Sequence, residues 1–535
     1  MVDTNQVILI GLDGLGYSEI KSWINEESLS ELNKLSEHNA EINLESTRPP
    51  WTPCAWPSLL SGRNPGKHGV FDFFTRDGYN KRLINRQDVD APYLFEAASS
   101  EGLTSVVINF PVTHPASEIS RGAVVPGYLA DENVSFHPEK LRKEYEEEYG
   151  EYIIYPQYGA DEDAVAQYVD AARCRRDMAN FLDTRYDWDF MAVQFQVTDS
   201  VFHDLENRDD IRRVLEEVDK FVGDIIKLGD NESTVIVASD HGMGDYDWTF
   251  YINSWLAENG YCQVTEGESQ YFRQQKSELK GSKESNTKDT AAEKLVKTIS
   301  NSLSRVGISP QRIHSGLSAI GAARIVEQLL PSDALVAAQN QVVDYKNSCA
   351  FQMYFNSLGV HLNVKGQYTN GVIKQENYES VRSQLIKDLK QVRDPEGELV
   401  FSDVQPREEV YHGRNLRHAP DVILTPRDFR YDVSGSILDT FRENAHKNHK
   451  PEGILFSNRS LDVDHSAEIY DIAPTVAAAL GIPIDAQTDG AVLLDTEETR
   501  NRRDWDELAE KFSGLETETD TQSVEDRLAD LGYME

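Results

Sequence analysis

Six short apolar runs punctuate this chain, at residues 7–10, 105–110, 190–195, 234–238, 421–424 and 453–456. They do not alternate apolar with polar positions, as a half-exposed strand would. They therefore predict strands buried on both faces, as in a parallel sheet. Between them, in stretches such as 161–184 and 209–227, apolar residues recur three or four apart and predict helices. Strand alternating with helix predicts an α/β fold with crossover connections. The expected architecture is a mostly parallel sheet sandwiched by helices, with an insertion over the ligand side.

The pattern breaks from about residue 266 to 335. A polar, aperiodic stretch, Q-Q-K-S-E-L-K-G-S-K-E-S-N-T-K-D-T, is followed by weak helical periodicity around 291–303 and 320–330. This predicts an insertion beside the site, partly mobile. Runs at 360–364 and 399–404 predict the return to the sheet. The acidic end carries S-V-E-D-R-L-A-D-L-G-Y, with a capping serine and an acid three residues later, which predicts one terminal helix. The expected organisation is a core in two parts, 1–262 and 341–495, separated by a cap at 263–340 and followed by a tail at 496–535. No internal repeat is visible.

Composition narrows the function. The 535 residues include 91 Asp plus Glu against 53 Lys plus Arg, a formal charge of −38 spread along the whole chain. Extended nucleic acid is a poor partner for such a protein, because binding its backbone needs clustered Lys and Arg. The pattern suits a salt-rich cytoplasm, where short-range screening removes the self-repulsion. No stretch reaches the ~20 apolar residues of a membrane span, and no basic region precedes the first apolar run, so neither a membrane segment nor a secretory signal is expected. The four cysteines are scattered, without a C-x-x-C pair, and predict neither a disulfide framework nor a thiolate metal site. A cytoplasmic protein is the expectation; the oligomeric state is not legible.

Candidate chemistry sits where the runs end. Asp13 follows the first run and precedes Gly14; Asp240-His241 follow the run at 234–238 and precede Gly242. Open α/β sheets place ligands at the carboxyl ends of their strands. A lone Asp there is often only a turn residue, but these positions agree with each other. Asp199 and His203 stand four apart and share one face of a helix. A carboxylate with an imidazole suits zinc or manganese. Thr52 lies in P-P-W-T-P, and a late histidine, His449, lies in H-K-N-H-K-P-E-G-I-L-F, with His446 and His465 as the competing candidates. Three carboxylates, three imidazoles and one hydroxyl suit two divalent cations with a nucleophile between them, the arrangement that stabilises both attacking and leaving oxygens at phosphorus. Trp51 and Trp56 are expected to pack the loop, and Arg48, Lys67 and Arg76 to be ordinary surface charge.

These segments resemble the alkaline phosphatase superfamily, specifically the type I phosphodiesterase/nucleotide pyrophosphatase family and its uncharacterised prokaryotic branch. The most specific stretch is P-P-W-T-P-C-A-W-P-S-L-L-S-G-R-N-P-G-K-H-G-V-F-D-F. The family places a nucleophilic threonine nine residues before a Thr-Gly or Ser-Gly pair and then N-P-x-x-H-G; Thr52 stands nine before Ser61-Gly62. S-D-H-G-M-G, N-F-P-V-T-H-P-A and I-Y-D-I-A-P-T match as well. The resemblance implies two divalent metal ions, zinc first and manganese as the alternative, with Asp13, Asp240, His241 and Thr52 at one and Asp199, His203 and His449 at the other. It further implies a covalent phosphothreonine on Thr52, a small phosphate-ester substrate, and a structural His68 behind the nucleophile loop. Cys54 does not start the C-x-P-x-R pattern of the related sulfatases, which excludes that chemistry. A phosphomonoesterase, phosphonate hydrolase or phosphotransferase would use the same metals. A non-catalytic relative would have lost a ligand, and none is lost.

The charge alone generates a test. Raising KCl from ~0.1 M to ~1 M shortens the Debye length from ~10 to ~3 Å, so the melting temperature is expected to rise across that series at fixed pH. A flat or falling series would overturn the salt-adapted reading.

Overall fold

The computed structural model describes residues 6–36, 42–156, 163–266, 341–354, 357–463, 466–494 and 501–512. Its centre is an eight-stranded sheet. In spatial order the strands are Ser466–Glu468, Ile42–Glu45, Glu452–Ser457, Thr234–Ala238, Val7–Leu12, Phe190–Phe195, Ser105–Ile108 and Gly122–Val125. Val7–Leu12 is central, paired in parallel with Phe190–Phe195 on one side and Thr234–Ala238 on the other. All three are buried on both faces, as their unalternating apolar runs require. Glu452–Ser457 runs against its neighbours, pairing antiparallel with Thr234–Ala238 and Ile42–Glu45. The sheet is thus mostly parallel, with one reversed strand.

Helices cover it. Ala164–Asp183 and Arg208–Ile226 start at side-chain caps: Asp163 accepts from Val165 N and Asn207 from Asp209 N, each satisfying an otherwise unpaired amide of the first turn. Their apolar stripes bury Tyr168, Ala172, Met178 and Leu182 on one helix and Val214, Val218, Val222 and Ile225 on the other.

Three sequence expectations need correcting. Runs 360–364, 399–404 and 421–424 do not enter the main sheet. They contribute Gly359–Leu362, Phe401–Pro406 and Val422–Pro426 to a separate four-stranded sheet whose pairings are antiparallel. An apolar run records that a strand is buried, not which sheet it joins or in which direction it runs. A third sheet packs Gly242–Tyr251 between Phe441–Lys450 and Tyr431–Ser434. The short ladder Val264–Glu266 with Gln341–Val343 brings together the two ends of the segment predicted as an insertion. The insertion's helical patterns, the terminal helix and His465 lie outside the described residues. No helix among the described residues is long and apolar enough to cross a membrane.

The loop carrying Thr52 is held by the far end of the chain. Arg63, 2% exposed, pairs with Asp485 at 2.6 Å and with Asp506 at 2.7 Å. Asp489 accepts from Asn64 N at 2.7 Å and Asn64 Nδ2 at 2.9 Å, and pairs with Lys67. Breaking a buried pair by removing one partner strands the other charge. Arg63→Met is therefore expected to destabilise the protein by about 3–5 kcal/mol, read from urea midpoints at constant slope. The double replacement Arg63→Met with Asp485→Leu should recover most of that loss.

Candidate metal centre

The three central parallel strands end side by side. Asp13 follows the first of them, Asp240 and His241 follow Thr234–Ala238, and Asp199 and His203 lie on the helix Val197–Asp204 that leaves Phe190–Phe195. His449 arrives from Phe441–Lys450, paired across the ladder with Met243. Gly14 makes the first turn possible. Its φ of +66° is left-handed, its N–H donates to Asp240 Oδ1 at 3.1 Å, and a Cβ there would lie 2.6 Å from Asp199 Oδ1.

The side chains form two overlapping groups. His241 Nε2 lies 3.6 Å from Asp13 Oδ1 and 3.4 Å from Asp240 Oδ2. His203 Nε2 and His449 Nε2 lie 3.3 and 3.5 Å from Asp199 Oδ1, and 3.3 Å from each other. The rings of His241 and His449 stack at 3.8 Å, joining the groups. Asp13, Asp240 and His241 offer ligand atoms within 4.8 Å of one another, as do Asp199, His241 and His449. All seven residues singled out in the sequence therefore meet, Thr52 included. His446 stands apart, its Nε2 held by Asp432 at 2.9 Å.

The hydrogen bonds around the cluster orient it inward. His241 Nδ1 faces the carbonyl of Gly242 at 3.0 Å and His449 Nδ1 that of Pro50 at 3.2 Å. A carbonyl can only accept, so each Nδ1 carries the proton and each Nε2 turns a lone pair to the centre, the tautomer a metal ligand needs. Asp13 Oδ2 accepts from Trp56 Nε1 at 3.0 Å and Gln194 Nε2 at 2.6 Å. Asp240 Oδ2 is buried without a hydrogen-bond partner among the described residues, and Asp199 Oδ1 faces the imidazoles of His203 and His449. Buried acceptors left so are costly, and carboxylate oxygens and imidazole nitrogens converging on one place fit divalent cations.

Electrostatics say the same. Burial, then the charges of Asp240 and Asp199, hold the Asp13 carboxyl well above the ordinary range, and burial raises Asp240 too. Burial also pushes Asp199 up, but the imidazoles of His203 and His449 outweigh it and hold that carboxyl well below its usual value. Burial lowers His203 while Asp199 more than restores it, a net rise. Burial beside His241 lowers His449 to about 3.

Thr52 opens the helix Thr52–Ser61, and its hydroxyl lies 3.3 Å from His241 Nε2 and 3.5 Å from Asp13 Oδ1. His68 sits behind it. Its Nδ1 accepts from Val70 N at 3.2 Å, so Nε2 carries the proton and donates to Ser58 Oγ at 2.8 Å. Burial and Arg63 hold this imidazole neutral, lowered to about 3. Trp56 does more than the packing expected of it, since it donates to Asp13. Gln194 went unnoticed in the sequence. Its signal was present, a lone amide inside the apolar run F-M-A-V-Q-F.

The model of the family described as type I phosphodiesterase/nucleotide pyrophosphatase matches residues 7–315. In fold the chain is similar to phosphonoacetate hydrolase from Sinorhizobium meliloti 1021 in complex with phosphonoacetate, at 13% identity and a TM-score of 0.53, over 89% of this chain and 95% of that one. It is likewise similar to an inactive form of murine ectonucleotide pyrophosphatase/phosphodiesterase 5 in complex with AMP, at 11% identity and a TM-score of 0.50, over 91% and 97%. No curated protein matches the chain in sequence.

The raised acids generate a pH test. Above the ordinary histidine value of 6.5, His449 is neutral folded and unfolded. Asp13, Asp240 and His203, all raised, then bind more protons folded than unfolded, so metal-free stability falls as pH rises. Metal bound to the ionised carboxylates removes that dependence. Between pH ~6.5 and ~8.5, the melting temperature of chelator-treated protein is expected to fall more steeply than that of zinc- or manganese-loaded protein, which keeps only the dependence of groups outside the cluster such as Asp72 and His446. Parallel slopes would show that these acids hold no metal.

Proposed function

This chain belongs to the type I phosphodiesterase/nucleotide pyrophosphatase family, and from that premise we propose a two-metal phosphohydrolase acting on phosphodiesters or nucleotide pyrophosphates through a phosphothreonine on Thr52. The carrying observation is the buried Thr52 hydroxyl within 3.5 Å of both Asp13 and His241, beside a second group of Asp199, His203 and His449. Asp13, Asp240 and His241 would hold one divalent cation and Asp199, His203 and His449 the other. Once bound, such a pair supplies positive charge to the attacking and leaving oxygens and lowers the pKa of a coordinated hydroxyl or water.

The chain's own groups do the rest. Threonine is a weak nucleophile unless activated. Here its hydroxyl is buried, opposite His241 Nε2 and Asp13 Oδ1. The helix start fixes its direction, and His68 through Ser58 fixes the helix. Trp56 and Gln194 hold the far oxygen of Asp13, so that carboxylate cannot rotate away. The phosphoryl group would enter between the two groups of ligands, with Thr52 attacking from the Asp13 side and the leaving oxygen departing toward Asp199. Phosphonoacetate and AMP, present in the two neighbouring structures, are both small phosphorus-containing anions.

Thr52→Ala is expected to lower turnover of nitrophenyl diesters and dinucleotides by about 10³-fold or more, with metal content by elemental analysis largely retained. Thr52→Ser should keep measurable activity, because the hydroxyl survives. Near-normal turnover by Thr52→Ala would mean that water attacks phosphorus directly.

A further inference from the structure

Away from the metal centre, a cleft of about 430 Å³, counting its open mouth, lies between the chain that follows the helix Pro65–His68 and the separate four-stranded sheet. Asp72 and Arg76 line it from the first side, Arg76 on the strand Phe74–Asp77, and His361 lines it from the other, on Gly359–Leu362. Part of its wall is aromatic, with Phe74 stacked on Tyr354 at 5.9 Å. None of the seven residues of the metal centre lines it.

The polar atoms of this cleft are short of partners. His361 is 2% exposed, and neither of its ring nitrogens has a hydrogen-bond partner among the described residues. The same holds for Asp72 Oδ2, on a residue 6% exposed, and for the buried Arg76 Nε. Native proteins leave few such atoms, because each is costly. Here four of them fall on three residues that line one cavity. Their other bonds hold the groups in place: Asp72 Oδ1 accepts from Phe73 N at 2.8 Å, and Arg76 Nη1 donates to the Tyr368 hydroxyl. Arg76, expected from the sequence as surface charge, thus keeps a buried donor unused. A water molecule claims only about 30 Å³ and brings no charge to set against a guanidinium, so the cleft suits something larger and anionic.

The donors and acceptors define what would fit. Arg76 Nε can only donate. Burial, then Arg76 and Arg407, hold His361 well below its ordinary value, so its ring is neutral and offers one N–H and one lone pair. Burial raises the Asp72 carboxyl to about 7, against the opposing pull of the Phe73 amide, the Ser357 hydroxyl and Lys81, so near neutrality it can either give or take a proton in a hydrogen bond. At the rim, Asp88 is already paired with Arg82. A ligand must therefore accept at two or more oxygens and also donate. An ammonium group cannot accept, and sulfate has no proton to give. We propose that this cleft is a second, non-catalytic binding site for a protonated phosphate group, whose oxygens accept from Arg76 Nε and one nitrogen of His361, whose P–OH donates to the other nitrogen, and which shares a proton with Asp72. The choice of phosphate among protonated oxyanions rests on the phosphohydrolase reading above, since cleavage of a phosphodiester releases that group; the unpartnered cleft does not depend on it.

The test is calorimetric titration of the full-length, zinc-loaded protein at pH ~7 with orthophosphate, with methylphosphonate as a stand-in for a terminal phosphate that resists hydrolysis, and with sulfate. The wild type is expected to bind orthophosphate at the metal centre and at this cleft, and only the second binding should survive removal of zinc. His361→Phe should weaken that second binding by about tenfold to a hundredfold, with the melting temperature unchanged or higher, since the lost nitrogens bond nothing. Asp72→Asn keeps the bond from Phe73 N but replaces an oxygen with an obligate donor, and is expected to narrow the preference for phosphate over sulfate by about tenfold. Binding of methylphosphonate as well as orthophosphate assigns the site to terminal phosphates; orthophosphate alone assigns it to the free ion. The proposal is overturned if all phosphate binding disappears with zinc, if sulfate binds the cleft as tightly as phosphate, or if both variants bind as the wild type does. Should His361→Phe fail to fold, Asp72→Asn decides alone. A protein that hydrolyses no diester yet keeps the zinc-independent binding would defeat the functional reading and leave this site standing.

Discussion

Everything at the centre of this molecule answers one electrostatic constraint: three carboxylates, Asp13, Asp199 and Asp240, are packed together at 0–2% exposure. Charges so placed have lost their water, and each raises the cost of ionising the next. The protein satisfies only the outer half of the problem. Trp56 and Gln194 bond one oxygen of Asp13, and Gly14 N bonds one oxygen of Asp240, while the remaining oxygens turn toward the middle. The donors chosen are all neutral. A lysine or arginine in their place would settle the charge and abolish the need for a cation. By withholding its own positive groups, the chain leaves the centre to be neutralised by something from outside, a metal ion or, lacking that, a proton on His203.

The fold exists to bring that conflict to one place. Parallel strands all point their carboxyl ends the same way, so Asp13, the helix bearing Asp199, and Asp240 arrive at one crest without long loops. Glycine solves the crowding that results. Gly14 turns in the left-handed region and leaves room for Asp199, and Gly242 approaches the Glu452 carbonyl so closely that a Cβ would lie 2.1 Å from it. That approach seats the ladder carrying His449 against the end of the main sheet.

Much of this was legible in the sequence because burial on both faces leaves a plain record. The runs at 7–10, 190–195 and 234–238 fall on strands, and the D-G and D-H-G steps follow the first and the last of these. Asp199 and His203 were legible as a pair because helical spacing fixes which side chains can meet. Other features were not. The reversed direction of Glu452–Ser457 and the separate sheet holding Val422–Pro426 depend on which partner a buried strand finds, and local pattern carries no such information. Trp56 read as packing because an indole buries apolar area in any setting; its N–H matters only once Asp13 is placed opposite.

The long-range character of the site has a further consequence. Thr52 is supplied by the first tenth of the chain, yet its loop is fastened by Asp485, Asp489 and Asp506, and its neighbour His449 comes from the last fifth. Each clamp pairs an early basic or amide group with a late acid, so the nucleophile loop cannot be finished until the end of the chain has docked. Loop closure of that length costs entropy that only the completed core repays. The parallel strands bring the acids together, and the late contacts set the nucleophile loop and His449 against them. Site assembly and fold completion are then one cooperative event, and a cation that binds the finished cluster stabilises the whole chain rather than a local loop.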